Sequence, residues 1–482
     1  IAQGSVDFFP AQATGASEFQ GKVSSDYSLL WDVTYHETYK LLVNHLRGET
    51  FVLWQCGTPR PEVPGATGYF EVPVRRAATT STTYMPYFEL IGERDSLVAY
   101  TSSFDYVSSP CLRVRHRDGY VREAYNASTG AIVLAEDEVD LTIADEWTIG
   151  SVPRGYSITD THEETVFQVA EYVELVALFF NREHEATIAI ERILNSYTCL
   201  KDAIGKEAAE PRTKKVVFAS YVASADAFSI AACPGAWYCE AIRDAGGELL
   251  RFEGVGAVSM YGYDYMSLDQ LLHLASGADA VVVPSPLPDY DHPTTQALLA
   301  NLAKKRTPLF DNQGPLGYND WWERRLAEPD AVLADFAAIL GTYDGTRNFF
   351  RNLTAGEPAG TMVPDDALDA ACPNPDAPYH YLLSAAADCL EAKQRSSSSS
   401  SGKKSSGGGD NTLVVVLAVL LSILAALFVV SVSWVRRAPS SSKGDDAFKH
   451  ADAVELVPQT DRNAMHQDQK EDSSNFPHRY GR

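Results

Sequence analysis

Aromatic side chains gather in a few stretches bounded by Gly, Pro or Ser, and these are the residues with the clearest chemical potential. Tyr84 and Tyr106 fall in the first half of the chain. Tyr221, Phe228, Trp237 and Tyr238 share one stretch, Tyr261 and Tyr263 lie in MYGYDYM, and Tyr318, Trp321 and Trp322 lie in GYNDWWERR. Flat walls with a few polar tips suit a bulky, partly apolar, preassembled metal chelate, which is held by shape and stacking. Arg324 or Arg325 beside them could meet chelate oxygens with guanidinium donors. Tyr and Trp also half-bury at ordinary packing interfaces, so packing stands as the competing account. A bare metal ion would need converging His and carboxylates, whereas His36, His45, His116, His162, His184, His273 and His292 are scattered. G-x-S-x-G, H-E-x-x-H, G-x-G-x-x-G and G-x-x-x-x-G-K-[ST] are all missing from the sequence. The expectation is a binder without cofactor, not an enzyme.

Such residues need loops held by a regular scaffold. Short apolar runs predict strands at 50–55, 96–101, 215–220 and 279–284. Amphipathic stretches predict helices at 84–92, 236–245, 267–276, 294–305 and 330–340. This alternation is the sequence form of an α/β protein, whose ligands meet loops beyond the carboxyl ends of the strands. Between the halves, 162–203 holds no Gly or Pro. Val166, Val169, Val173, Val176, Phe180, Ile188, Ile193 and Leu200 recur there near helical spacing. The spacing predicts one connecting helix about 60 Å long, touching both halves as an internal strut. The predicted fold is two α/β lobes joined by a long backbone helix, with a ligand cleft between them.

Four segments carry a resemblance: RRAATTSTTYMPYFELIGERDSLVAYTS (75–102), WYCEAIRDAGGELL (237–250), MSLDQLLHLASGADAVVVP (266–284) and WWERRLAEPDAVLADFAAIL (321–340). In order and spacing the chain resembles the class III, helical-backbone periplasmic binding proteins, which deliver ferric siderophores, vitamin B12 or haem to bacterial importers. It looks most like their membrane-anchored algal and diatom relatives, receptors for ferric hydroxamate siderophores such as ferrichrome. The resemblance implies a ferric siderophore as ligand, with cobalamin or haem as other chelates the fold could take, or a scaffold or adhesion ectodomain that lost its small ligand. It also implies docking to a permease through one Glu on each lobe. Glu240 matches the second position, but Pro86 stands at the first, a departure from the family pattern.

The whole chain fits a surface receptor. Its 482 residues carry 40 Lys and Arg against 64 Asp and Glu, a net charge of −24 that disfavours nucleic acid. The first residue is Ile1, which points to a processed mature form after a signal peptide. All 7 Cys precede position 390, as in an oxidising ectodomain. The near neighbours Cys233 with Cys239 and Cys372 with Cys389 are expected to pair, then Cys56 with Cys111, leaving Cys199 free. Asn126 and Asn352 open N-x-S/T sequons for glycosylation. LVVVLAVLLSILAALFVVSVSWV (413–435) is uncharged and about 35 Å long as a helix, enough to span a bilayer. Arg436 and Arg437 place the C-terminal side in the cytoplasm. The expected organisation is an N-terminal lobe at 1–160, the connecting helix at 161–204 and a C-terminal lobe at 205–390. A Ser/Gly/Lys linker follows at 391–411, then a transmembrane helix at 412–435 and a cytoplasmic tail at 436–482. The location is the plasma or an endosomal membrane, with the tail open to an endocytic or transport partner.

Overall fold

A computed structural model describes residues 19, 21–207, 213–222, 226–231, 236–251, 259–260, 263–285, 287 and 292–375. Four strands come first: β1 (Trp31–Tyr35), β2 (Tyr39–Asn44), β3 (Glu49–Gln55) and β4 (Gly68–Val72). They pair in that order, antiparallel until β4 joins β3 in parallel. Alternation decides the faces: along β2 Lys40, Leu42 and Asn44 point inward while their neighbours are half-buried. This sheet is a separate layer that the single strand expected at 50–55 did not reveal.

The first lobe's own sheet holds β5 (Ala77–Thr79), β6 (Leu97–Tyr100), β7 (Arg122–Glu123), β8 (Leu141–Ala144) and β9 (Gly155–Ser157), all parallel in the order β7-β6-β5-β8-β9. Helices α1 (Met85–Leu90) and α2 (Pro110–Arg117) follow β5 and β6, each opening on Pro at its first or second position.

The second lobe is built on β10 (Lys214–Val222), β11 (Ala227–Ala231), β12 (Gly247–Leu249), β13 (Ser259–Met260), β14 (Tyr263–Met266), β15 (Ala280–Val283), β16 (Leu309–Asp311) and β17 (Arg351–Asn352). The order is β13-β14-β11-β10-β15-β16-β17 with β12 beside β10. Its centre, β10, β15 and β16, is parallel and apolar, as a sheet covered on both faces must be.

The connection between lobes departs from the single helix expected over 161–204. It consists of a turn at Asp160–His162, then α3 (Val166–Ala170), α4 (Tyr172–Ala177) and α5 (Glu183–Glu207). The break falls at Asn181, whose φ of 54° is left-handed, a conformation Asn accepts better than most residues. Lys40, wholly buried on β2, completes it. Its ammonium donates to the Leu178 carbonyl at 2.6 Å, Asn181 Oδ1 at 2.9 Å and Glu183 Oε1 at 2.6 Å. α5, about 37 Å long for its 25 residues, still serves as the strut. Ala186, Ile190 and Ile193 pack in the first lobe's core, and Tyr197, Leu200 and Ile204 in the second's.

The remaining helices are α6 (Tyr238–Asp244), α7 (Leu268–Ala275), α8 (Pro293–Lys305) and α10 (Pro329–Leu340), close to the predicted spans, and α9 (Tyr318–Arg324) and α11 (Leu368–Ala371), which were not predicted. In the G-G pair after α6, Gly246 takes a φ of 86° and Gly247 lies where a Cβ would stand 2.9 Å from Leu340. Described residues all fall within one contact unit, residues 1–403. Among them no helix is long and apolar enough to cross a membrane. The span at 412–435, with its linker and tail, lies outside the described residues.

The cysteine pairing differs from the near-neighbour expectation. Cys111 on α2 is bonded to Cys372 beyond α11, with Cα atoms 5.2 Å apart across 261 residues of sequence. This overturns both Cys56 with Cys111 and Cys372 with Cys389. Cys56 is the exposed free thiol among the described residues, and Cys199, expected to be free, is disulfide-bonded, as is Cys239. Cys233 and Cys389 lie outside the described residues. Distance in the fold, not separation in sequence, selects partners.

Candidate functional site

In the parallel sheet of the first lobe the chain steps outward in one direction through β6 and β7, then in the other through β8 and β9. The switch point therefore lies between β5 and β8, where open α/β sheets leave a crevice beyond the strand ends. A cavity of about 310 Å³ occupies this place. Ser81, Thr82, Thr83 and Tyr84 line it from the segment after β5, Asp145, Glu146 and Trp147 from that after β8, and Ile158, Thr161 and His162 from that after β9. The second lobe closes it with Trp322 and Arg325 at the end of α9.

Polar contacts across the lobes seat α9. Thr83 Oγ1 donates to the Trp322 carbonyl at 2.9 Å, and Asn319 Nδ2 donates to the Asp105 carbonyl at 3.1 Å. Glu323 accepts the backbone N–H of Ser108 at 2.6 Å and of Ser109 at 3.0 Å, the free donors before α2. Burial pushes the Glu323 carboxyl up to about 8, opposed by those N–H groups and reinforced by Glu89 and Asp320. Asp160, next in sequence to the lining residue Thr161, is wholly buried. Its Oδ2 accepts the Tyr87 hydroxyl at 2.9 Å while Oδ1 has no hydrogen-bond partner. Burial raises it to about 6, against the pull of the Tyr87 bond and of Arg325. Asp145 accepts the N–H groups of Trp147 and Thr148, which shapes the loop after β8. Glu146 stands 3.1 Å from His162 Nε2, and Trp147 is 62% exposed at the rim.

Of the aromatics singled out in the sequence, Tyr84 and Trp322 line this cavity. Trp321, one residue earlier on α9, turns about 100° away and is wholly buried against Phe218, Tyr238, Phe349 and Phe350. Phe228 and Trp237 are likewise core residues. Tyr238 is buried too, but its hydroxyl accepts from Arg325 Nε at 3.1 Å and so stands just behind the wall. Tyr221 is half-buried and bonds Asp226 at 2.9 Å. Tyr106 and Tyr318 are exposed at 44% and 39%, outside the cavity. Arg324 is no ligand clamp: Asp320 and Glu328 hold its buried guanidinium at 2.6 and 2.8 Å. Tyr261 lies outside the described residues, and of Tyr263 only the strand is described. Glu240 has an internal contact, accepting the Val166 N–H at the start of α3. Asn126 lies in an exposed turn and Asn352 on the half-buried edge strand β17.

Asp145, Glu146, Trp147 and Thr83 were missed. Their signal was position: D-E-W follows the apolar run LTIA, and T-S-T-T-Y follows AAT, so both sit just past strand ends. His162 lies in a turn at the cavity, not on the connecting helix. Among the described residues no group of three or more His, Cys, Asp or Glu side chains could hold a metal ion.

No family model matches the chain, and no curated protein matches it. Solved structures do. The chain is similar to a periplasmic haem-binding protein from Pseudomonas aeruginosa, at 14% identity over 60% of this chain and 99% of that one, TM-score 0.41. It is also similar to a periplasmic vitamin B12-binding protein from Vibrio cholerae, at 14% over 56% and 97%, TM-score 0.39. A third is an Fe3+-hydroxamate transport system protein from Saccharomonospora viridis, at 13% over 56% and 95%, TM-score 0.40.

Proposed function

We propose that this chain is a cell-surface receptor that holds a ferric siderophore of the hydroxamate type between its two α/β lobes, as a step in iron uptake. One observation carries the reading: a cavity at the switch point of the first lobe's sheet, walled by both lobes and bearing Tyr84, Trp147 and Trp322. Its 310 Å³ lies at the small end of ligand sites, so a whole chelate extends past Trp147 or displaces α9. The apolar run at 413–435 supports a type I anchor in the plasma or an endosomal membrane, with the cargo handed on through internalisation or a transport partner.

The test is intrinsic tryptophan fluorescence titrated with ferrioxamine and ferrichrome. Saturable quenching that is weaker in Trp322→Phe supports the receptor. A second reading, a scaffold or adhesion ectodomain without a small ligand, is favoured by α9 seated on the first lobe and by the core positions of Phe228, Trp237 and Trp321. A flat trace across several siderophores, haem and cobalamin selects that reading.

A further inference from the structure

Taking the receptor reading of the interlobe cavity as given, we infer that its ligand is a positively charged ferric chelate, held through an ammonium or similar cation against Glu146 and the Trp147 ring. The charges around the cavity are unequal. Asp145 and Glu146 line it, and Asp160, next in sequence to the lining residue Thr161, is fully buried with one oxygen unpartnered. Arg325 is the one guanidinium among the described residues of the lining, and it is turned to internal work. Its Nε bonds Tyr238, its Nη1 donates to the Trp322 carbonyl at 2.5 Å, and its plane lies 4.6 Å from the Trp322 ring centroid. Its charge attracts Asp160 and so partly opposes that carboxyl's burial.

The Tyr84 phenol in the wall senses the imbalance. Burial comes first in pushing it well above its ordinary range, and Asp160, Asp145 and Glu146 push the same way against Arg325. With Asp160 and Arg325 offsetting each other, two carboxylates remain against His162. A cation entering this partly desolvated space is attracted and an anion is repelled. Trp147, exposed at the rim beside Glu146, adds a π face of the kind that attracts ammonium groups.

The test uses the full chain and one chelate frame in three charge states: ferrioxamine with its free ammonium, its N-acetyl derivative (neutral) and its N-succinyl derivative (anionic). Fluorescence titration at low salt is expected to rank cation, neutral, anion, with roughly 3- to 10-fold between the first two. The gap is expected to shrink in about 0.5 M salt and in Glu146→Gln, a surface change that leaves the packing intact. Equal or tighter binding of the acetyl or succinyl form overturns the charge inference and leaves the receptor reading standing, as does a preference unaltered by Glu146→Gln. Silence from all three chelates, and from ferrichrome, overturns both.

Discussion

Glu323 spends its carboxylate on the backbone of the opposite lobe, at a site where burial raises its affinity for a proton. Glu174 is raised to about 7 and Asp160 and Asp335 to about 6, burial leading in each case. An acid whose folded value lies above its unfolded one keeps more protons when folded. Their contribution to stability is therefore fully present below about pH 4 and is lost as pH rises toward 8. The surface acids Asp118 and Glu138, lowered by Arg117 and by the Ala135 N–H, act the other way, but they are fully exposed and weigh less. The chain is expected to melt at a higher temperature at pH 5 than at pH 8. Glu323→Gln should flatten the part of that slope between about pH 5 and 8, and thermal unfolding scans across pH check both. Side-chain identity was readable in the sequence at this scale and side-chain direction was not. W-W announced an aromatic pair, yet only the helix phase of α9 decides that Trp322 meets the cavity while Trp321 fills the core.

At the scale of elements, periodicity located α6, α7, α8 and α10 well because each carries its own signal in caps and apolar faces. Examples are the Ser267–Gln270 capping box of α7 and Gly341, with a φ of 66°, closing α10. The break before α5 carried little such signal. Asn181 permits it, but Lys40, distant in sequence, satisfies it, and no local pattern announces a partner that far away. Lys40→Met removes all three ammonium bonds and leaves the Glu183 carboxylate buried without its counter-charge. The expected loss is about 3–5 kcal/mol, measured as a lower urea midpoint. Adding Glu183→Gln should restore part of it, and a double change no better than the single one would refute the pair's role.

Across the whole molecule, the α/β class was legible because alternation of apolar runs survives in any linear reading. The packing of α9 onto the first lobe was not, since it rests on Thr83, Ser108, Ser109 and Asn319 meeting groups more than 200 residues away. Pairing of Cys111 with Cys372 belongs to the same kind of information. The segment after β17 returns to the first lobe, where Arg113 meets Asp365 at 2.5 Å, Arg117 meets Asp369 at 2.9 Å and Arg94 donates to the Pro375 carbonyl at 3.1 Å. Cys372→Ser is expected to lower stability by about 2–4 kcal/mol, the cost of freeing a long loop. Mass spectrometry of the alkylated chain should find Cys56 labelled without reductant, with Cys111 and Cys372 labelled only after reduction.

That bond also decides how the molecule bears load. Tension drawn between its two ends runs along the chain to Cys111, crosses the sulfur bridge and leaves through Cys372. The strut helix and the second lobe hang inside the closed covalent circuit and carry none of the pull, so a tug on the C-terminal end cannot unravel them while the bridge is intact.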